Sequence, residues 1–295
     1  MQPHNQIAFI GGGNMASAMI AGLFSQHAAA KKSPDSAPLI LVIDKNQEAL
    51  SQLSTKFGVV SGEKIDALVE QSKVIVLAVK PQQLKEVATQ LKPYCKEQVI
   101  VSIAAGIRAH DISHWLGGYD KIVRCMPNTP AMIGRGVSGL FALPGVSVAQ
   151  RTMAQDLMRA VGETVWLDDE AQMDAVTAVS GSGPAYVFYF IEALQQAGLE
   201  LGLNEAQAKT LALATFTGAS QLAAQSAEPI QILRERVTSK GGTTFAALTS
   251  MNESAISTAI IRAVKAAAQR GKELGDEFGN EFEDKFSDQK ENQRA

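Results

Sequence analysis

Five short runs built almost wholly of Ile, Val, Leu and Ala, namely IAFI, LILVID, VIVLAV, VIVSIAA and KIVRCM, recur between Gln6 and Leu167 with helix-like stretches between them. A strand with one wet face alternates apolar and polar residues. These runs do not, so both faces must be covered, as in a parallel sheet with helices above and below. The pattern predicts a doubly wound α/β domain over residues 1–167. After Asp168 the texture turns Ala- and Leu-rich with no clear strand. Helices are expected over 186–201, 205–225 and 253–274, the last with Ile256, Ile260, Val264 and Ala267 at helical spacing. An all-α C-terminal domain over 168–272 follows, and its large apolar faces call for a partner subunit, a homodimer or higher homo-oligomer. Residues 273–295 hold eight acidic and three basic side chains, so the net charge of −3 is set by this tail and the rest carries about +2. The tail reads either as a solvated, partly disordered terminus or, from Phe278, Phe282 and Phe286 four apart, as one face of a short docking helix.

The remaining 272 residues carry no large basic excess, which excludes nucleic acid as the expected partner and favours a small molecule. Cys95 and Cys125 lack metal-ligand or disulfide-framework spacing, so reduced thiols in a cytoplasmic protein and no metal site are expected. The stretch from Ile7 to Ala30 has no Lys, Arg, Asp or Glu. Without a basic leader, and with three consecutive glycines and several polar residues, it is expected to be neither a targeting segment nor a membrane span.

Within that stretch, IAFIGGGNMASAMIAGL places Gly11, Gly13 and Ala16 in a G-x-G-x-x-A pattern between a strand and a helix. Gly11 permits the tight turn, Gly13 lets a pyrophosphate approach the backbone, and Ala16 lets the helix pack on the strand. The helix start, with Asn14 and Met15, then offers N–H groups to phosphates. These features define a dinucleotide-binding, Rossmann-like domain. Asp44 closes LILVID where a carboxylate meets the ribose hydroxyls of NADH, whereas Lys45 next to it suits the 2′-phosphate of NADPH. Asp44 lies further from the glycines than usual, a gap filled by the polar insertion AAAKKSPDSAPL. Ala78, Val79, Lys80 and Pro81, and likewise Ala104, Ala105 and Gly106, follow strands at the sheet's carboxyl edge and are expected to border the cofactor. A surface role for Lys80 stands beside that. Asn128, in the breaker-rich stretch before Pro130, is a candidate to line the nicotinamide side.

Three further stretches, RCMPNTPAMIGRGVSGL, DAVTAVSGSGPAYVFYFIEAL and LRERVTSKGGTTFAAL, together with FIGGGNMA and LAVKPQ, resemble the pyrroline-5-carboxylate reductases over residues 6 to about 272. The resemblance implies hydride transfer from NADPH or NADH to the C=N bond of 1-pyrroline-5-carboxylate, giving proline. It also implies that Gly242 and Thr243 offer backbone N–H groups to the substrate carboxylate. Thr244 would set its hydroxyl beside the ring nitrogen, with Ser239 and Glu170 near the substrate. The family usually shows S-P-G-G here, whereas this chain has Lys240 in place of the proline. That change loosens the loop, and the lysine either attracts a carboxylate or faces solvent. SGSGPAY reads as a turn into a helix with Pro184 in its first turn, serving as a domain linker or as a ligand contact.

A protonated imine is already electrophilic, so placement of the two reactants does most of the work and no strong acid is required. All four histidines lie before residue 115, none in a motif suggesting a catalytic base. Three rival readings remain: a reductase of a related cyclic imine, a β-hydroxyacid dehydrogenase, and a non-catalytic nucleotide sensor. The dehydrogenases resemble one another in a helical catalytic lysine, which PAYVFYFIEALQQAG lacks. The intact GGTT loop argues against the sensor.

Overall fold

The computed structural model describes residues 7–30 and 39–280, Asn280 by its backbone alone. Eight strands form one sheet in the order β3-β2-β1-β4-β5-β6-β7-β8. They are β1 (Ile7–Ile10), β2 (Ile40–Ile43), β3 (Val60–Gly62), β4 (Val74–Leu77), β5 (Val99–Ser102), β6 (Ile122–Met126), β7 (Gly136–Ala142) and β8 (Gly162–Trp166). Pairing is parallel from β3 to β6. β7 then runs antiparallel to β6, and β8 parallel to β7. The reversal has a simple cause. Only nine residues separate Met126 from Gly136, fewer than the dozen or so a parallel crossover needs.

Residues of each central strand divide between the two faces. Phe9, Val42, Val76 and Val101 pack with Met19 and Ile20 of α1 (Asn14–Ala29), Leu50 and Leu53 of α2 (Gln47–Phe57), and a later helix. Ala8, Leu41, Ile75 and Ile100 pack with Leu84 and Leu91 of α3 (Pro81–Leu91) and Ile112 of α4 (Ala109–Trp115). The unbroken Ile/Val runs thus have the double burial their composition requires. The later helix is α5 (Val148–Arg159), whose Leu157 and Met158 join the first cluster.

Chain contacts form two compact units, one running to Gly181 and resuming at Ala267, the other Ser182–Ala266. This grouping differs from the division at 167/168 and 272/273 read from sequence. Residues 168–181, comprising α6 (Gln172–Val176) and a π-helical turn, join the first unit through fully buried Met173 and Ala178. The second unit holds α7 (Gly183–Glu200), α8 (Glu205–Gln225), α9 (Ile230–Arg236) and α10 (Thr243–Glu253), and α11 (Ile256–Asn280) belongs to both units. The helix expected over 253–274 is α11, which begins three residues later, because Ala255 at φ 51° separates it from α10, and which runs on to Asn280.

Of the two readings of the tail, the solvated terminus needs correction over 273–280, which continue α11, and the docking-helix reading holds there at Phe278, which packs on the core of the first unit. Gly271, Gly275 and Gly279 recur every fourth residue there and make room for neighbours. A Cβ on Gly275 would lie 3.2 Å from the Arg108 guanidinium. Arg108 pairs with Asp276, and Phe278 packs against Gly106. Phe282 and Phe286, and residues 31–38 of the polar insertion, lie outside the described residues.

Candidate functional site

The strand order reverses at β1 and β4, and the loops leaving their carboxyl ends open a crevice there. Gly11 leaves β1 at φ 108°, where a Cβ would lie 2.6 Å from the carbonyl oxygen of Ala78. Its N–H donates to Ile43 O at 2.7 Å, and Ala78 N donates to Ile10 O at 2.8 Å, so the turn is stitched to both neighbouring strands. Gly13 begins α1, and a Cβ placed on it would meet nothing within 4 Å. No acidic side chain occupies the first turn of α1, leaving the amides of Asn14, Met15 and Ala16 for an anion. Ala16 itself is buried against the sheet. An open glycine followed by an uncapped helix start fits a pyrophosphate.

Gly11, Gly13, Asp44, Lys45, Ala78, Val79 and Lys80 line one cavity of about 280 Å³. Asn14 instead borders an adjoining depression of about 400 Å³ with Ser17, Asn46 and Lys56. Lys80 is exposed at the start of α3, and Pro81 is the first residue of that helix. Asp44 Oδ2 accepts from Gly12 N at 2.6 Å, and Oδ1 from Asn46 N at 2.8 Å. Lys45 Nζ lies 3.6 Å from Glu86 Oε1. The cavity also takes in Glu63, Ile65 and Glu86, which sequence reasoning missed. For Asn46 a signal existed: its side chain caps α2, with Glu48 in the first turn.

Other expected residues serve neighbours within the first unit. Ala104 is buried and Ala105 exposed in the loop after β5. Gly106, at φ 77°, turns its open side to Leu274 and Phe278, both 3.4 Å from where a Cβ would lie. Asn128 donates to Ser180 O and Oγ at 3.3 Å and accepts from Val137 N at 3.0 Å, tying the β6–β7 loop to the SGSG segment. Glu170 Oε1 accepts from Arg124 Nη1 at 2.9 Å and from Ala109 N at 2.7 Å. This oxygen therefore neutralises a buried arginine and completes the start of α4. Burial pushes the Cys95 thiol up to about 11 and Cys125 higher still, so neither supplies a thiolate near neutral pH. No group of three or more His, Cys, Asp or Glu among the described residues is arranged to hold a metal ion.

The remaining candidates belong to the second unit. Gly241 takes φ 75°, and Gly242 N donates to Ser239 O at 3.0 Å, closing a turn. Gly242 immediately precedes α10, which has no side-chain cap and no acidic residue in its first turn. Exposed Thr243 and half-buried Thr244 are its first two residues, and Lys240 in the turn is exposed. This is a second helix start whose first amides are left without a side-chain cap.

Enzymes that hold a nicotinamide dinucleotide do so with a glycine turn into a helix for the phosphates and a carboxylate at the end of the next strand for the ribose, features this chain has at Gly11–Gly13 and Asp44; the class is a dinucleotide-dependent oxidoreductase. Residues 170–274 match the model described as pyrroline-5-carboxylate reductase dimerisation. Residues 6–106 match that of NADP oxidoreductases, coenzyme F420-dependent. The pyrroline-5-carboxylate reductase of Pseudomonas aeruginosa is 46% identical over 86% of this chain and 91% of its own. That of Haemophilus influenzae is 42% identical over 83% and 88%. A solved pyrroline-5-carboxylate reductase from Coxiella burnetii superposes with a TM-score of 0.84 at 37% identity, covering 92% of this chain and 99% of that one. The Plasmodium falciparum enzyme with NADP bound gives 0.78 at 29% identity, covering 92% and 98%. The chain belongs to the pyrroline-5-carboxylate reductase family.

Proposed function

We propose that this protein reduces 1-pyrroline-5-carboxylate to proline with NADPH or NADH. The observation that carries the reading is a pair of uncapped helix starts, α1 after G-x-G and α10 after Lys-Gly-Gly, in a chain of this family. The first holds the cofactor's pyrophosphate through Gly11, Gly13 and the amides of Asn14, Met15 and Ala16. Asp44 and Lys45 meet its adenosine ribose, and Ala78 to Pro81 border it. Bound there, the cofactor would supply a hydride for the imine carbon of a substrate whose nitrogen already carries the proton. Gly242 and Thr243 amides fix the substrate carboxylate, with Ser239 bracing their turn. The Thr244 hydroxyl orients the ring nitrogen. Catalysis then rests on placement and fixed dipoles, with no side chain acting as a base.

Glu170, Asn128 and the 104–106 loop support the reading as framework, since the partners described above already engage them. Exposed Phe188, Tyr189 and Leu201 in the helical unit favour a homodimer or higher homo-oligomer. No described helix is long and apolar enough to cross a membrane. A cytoplasmic site of action, with a small-molecule partner and no nucleic acid, completes the proposal.

The test is the initial rate of NADPH and NADH oxidation with 1-pyrroline-5-carboxylate, proline being followed as product. Thr244→Ala should lower kcat/KM by roughly 10–100-fold; unchanged kcat and KM would remove Thr244 from the mechanism. Proline-forming turnover is expected, and its absence in folded protein would move the assignment to a related cyclic imine or to a non-catalytic nucleotide sensor.

A further inference from the structure

Asp44 and Lys45 argue in sequence for opposite cofactors, yet their surroundings are unequal. Both oxygens of Asp44 are held by main-chain amides, Gly12 N–H at 2.6 Å and Asn46 N–H at 2.8 Å. An ionised carboxylate offers about four acceptor sites, so two such bonds leave room for ribose hydroxyls. The same bonds stop it from swinging aside for a phosphate, because leaving would strand the amides of the glycine turn and of the α2 start. Lys45 is free of any such brace. Its side chain is 82% exposed, and its ammonium lies 3.6 Å from Glu86. A carboxylate thus competes, weakly at this exposure, with any phosphate for the Lys45 charge.

The rest of the lining agrees. Among the described residues of the lining, Asp44, Glu63 and Glu86 face Lys45 and Lys80, an excess of one negative charge, with no arginine. Arginine is the side chain whose paired donors match a phosphate, and it accommodates a 2′-phosphate in folds of this kind. Apolar Ile10, Ile43, Ile65 and Val87 complete the lining, which suits an adenine and a ribose carrying free hydroxyls.

We infer that this chain selects NADH over NADPH, with the braced carboxylate of Asp44 as the specificity residue and Glu86 as a second, weaker determinant that competes for Lys45. The inference rests on the proposed nicotinamide-dependent reductase, but its decisive test does not require the imine reaction. Calorimetric titration of the intact protein with adenosine 5′-monophosphate and with adenosine 2′,5′-bisphosphate reads the adenosine end of the site alone. The monophosphate should bind at least about tenfold more tightly, since a second anion set beside a fixed carboxylate is repelled. Equal or tighter binding of the 2′,5′-bisphosphate would overturn the inference, whether or not proline is formed.

With turnover, kcat/KM for NADH should exceed that for NADPH by about tenfold or more. A ratio near one or reversed has the same contrary meaning. Glu86→Gln, at an exposed position, should move both ratios toward the 2′-phosphate about threefold. Asp44→Ser should move them by about tenfold or more. Because Asp44 also braces the turn, the readout is the ratio between ligands, which a general loss of folding leaves unmoved. Unmoved ratios in both variants would overturn the assignment of Asp44 and Glu86.

Discussion

The two compact units use their apolar residues in opposite ways. In the first, Phe9, Val42, Ile75, Val76 and Val101 are at most 2% exposed, and helices cover the sheet on both sides. In the second, α7, α9 and α10 bury no residue, and α8 buries only Ala208 and Ala212. Phe188 and Tyr189 on α7 remain 65% and 70% exposed. Apolar side chains in the first unit therefore stabilise the chain that carries them, whereas those in the second are available to another copy. The same residue types serve folding in one place and association in the other.

That contrast can be broken by experiment. Phe9→Ala should cost about 3–5 kcal/mol of unfolding free energy, read from a denaturant midpoint at constant slope. Phe188→Ala should change monomer stability by less than about 0.5 kcal/mol while weakening self-association in sedimentation velocity. Equal losses of stability in protein kept monomeric by dilution would erase the distinction. Arg124→Ala should cost roughly 3 kcal/mol, because Glu170 would keep a charge in a largely buried place without its partner. A loss below about 1 kcal/mol would mean that water reaches that pair, as at an ordinary surface contact.

Two smaller effects sharpen the comparison. Ala255→Gly should stabilise the helical unit by about 0.5 kcal/mol or more, since the native φ of 51° disfavours a Cβ. The thermal midpoint of the variant checks it. In the first unit, burial raises the Asp111 carboxyl above its usual range, partly offset by Arg108, and Oδ2 lacks a partner. A raised value in the folded state means that the fold binds this proton more tightly than the unfolded chain does. Its stabilising contribution is complete below the ordinary aspartate range and fades as pH climbs through the raised value. Asp111→Asn should flatten the stability profile over that interval, and an unchanged profile would show that other carboxylates set it.

The glycine turn, the five apolar strands and the span of α8 were legible because each is a local pattern whose period or spacing has one physical meaning. β7 was not, since GVSGLFA carries two glycines and its direction depends on loop length. The break at Ala255 was hidden because neither Gly nor Pro marks it. Asp44 was legible as a position but not as a braced group, because the amides of Gly12 and Asn46 that hold it are set by the turn's three-dimensional path. Arg108 and Gly275 show the limit most plainly. Their contact spans more than half the chain, and GKELGDEFGN looks like a charged tail until its glycines are found seated on another loop.

The seat of α11 sets an order of events for a chain emerging from the ribosome. The Arg108–Asp276 pair spans 168 residues, so the sheet's own loops wait on a helix made after the whole second unit. The second unit is a parenthesis in the sequence of the first, and the cofactor-binding half, begun at the first strand, is closed only when the last described helix arrives.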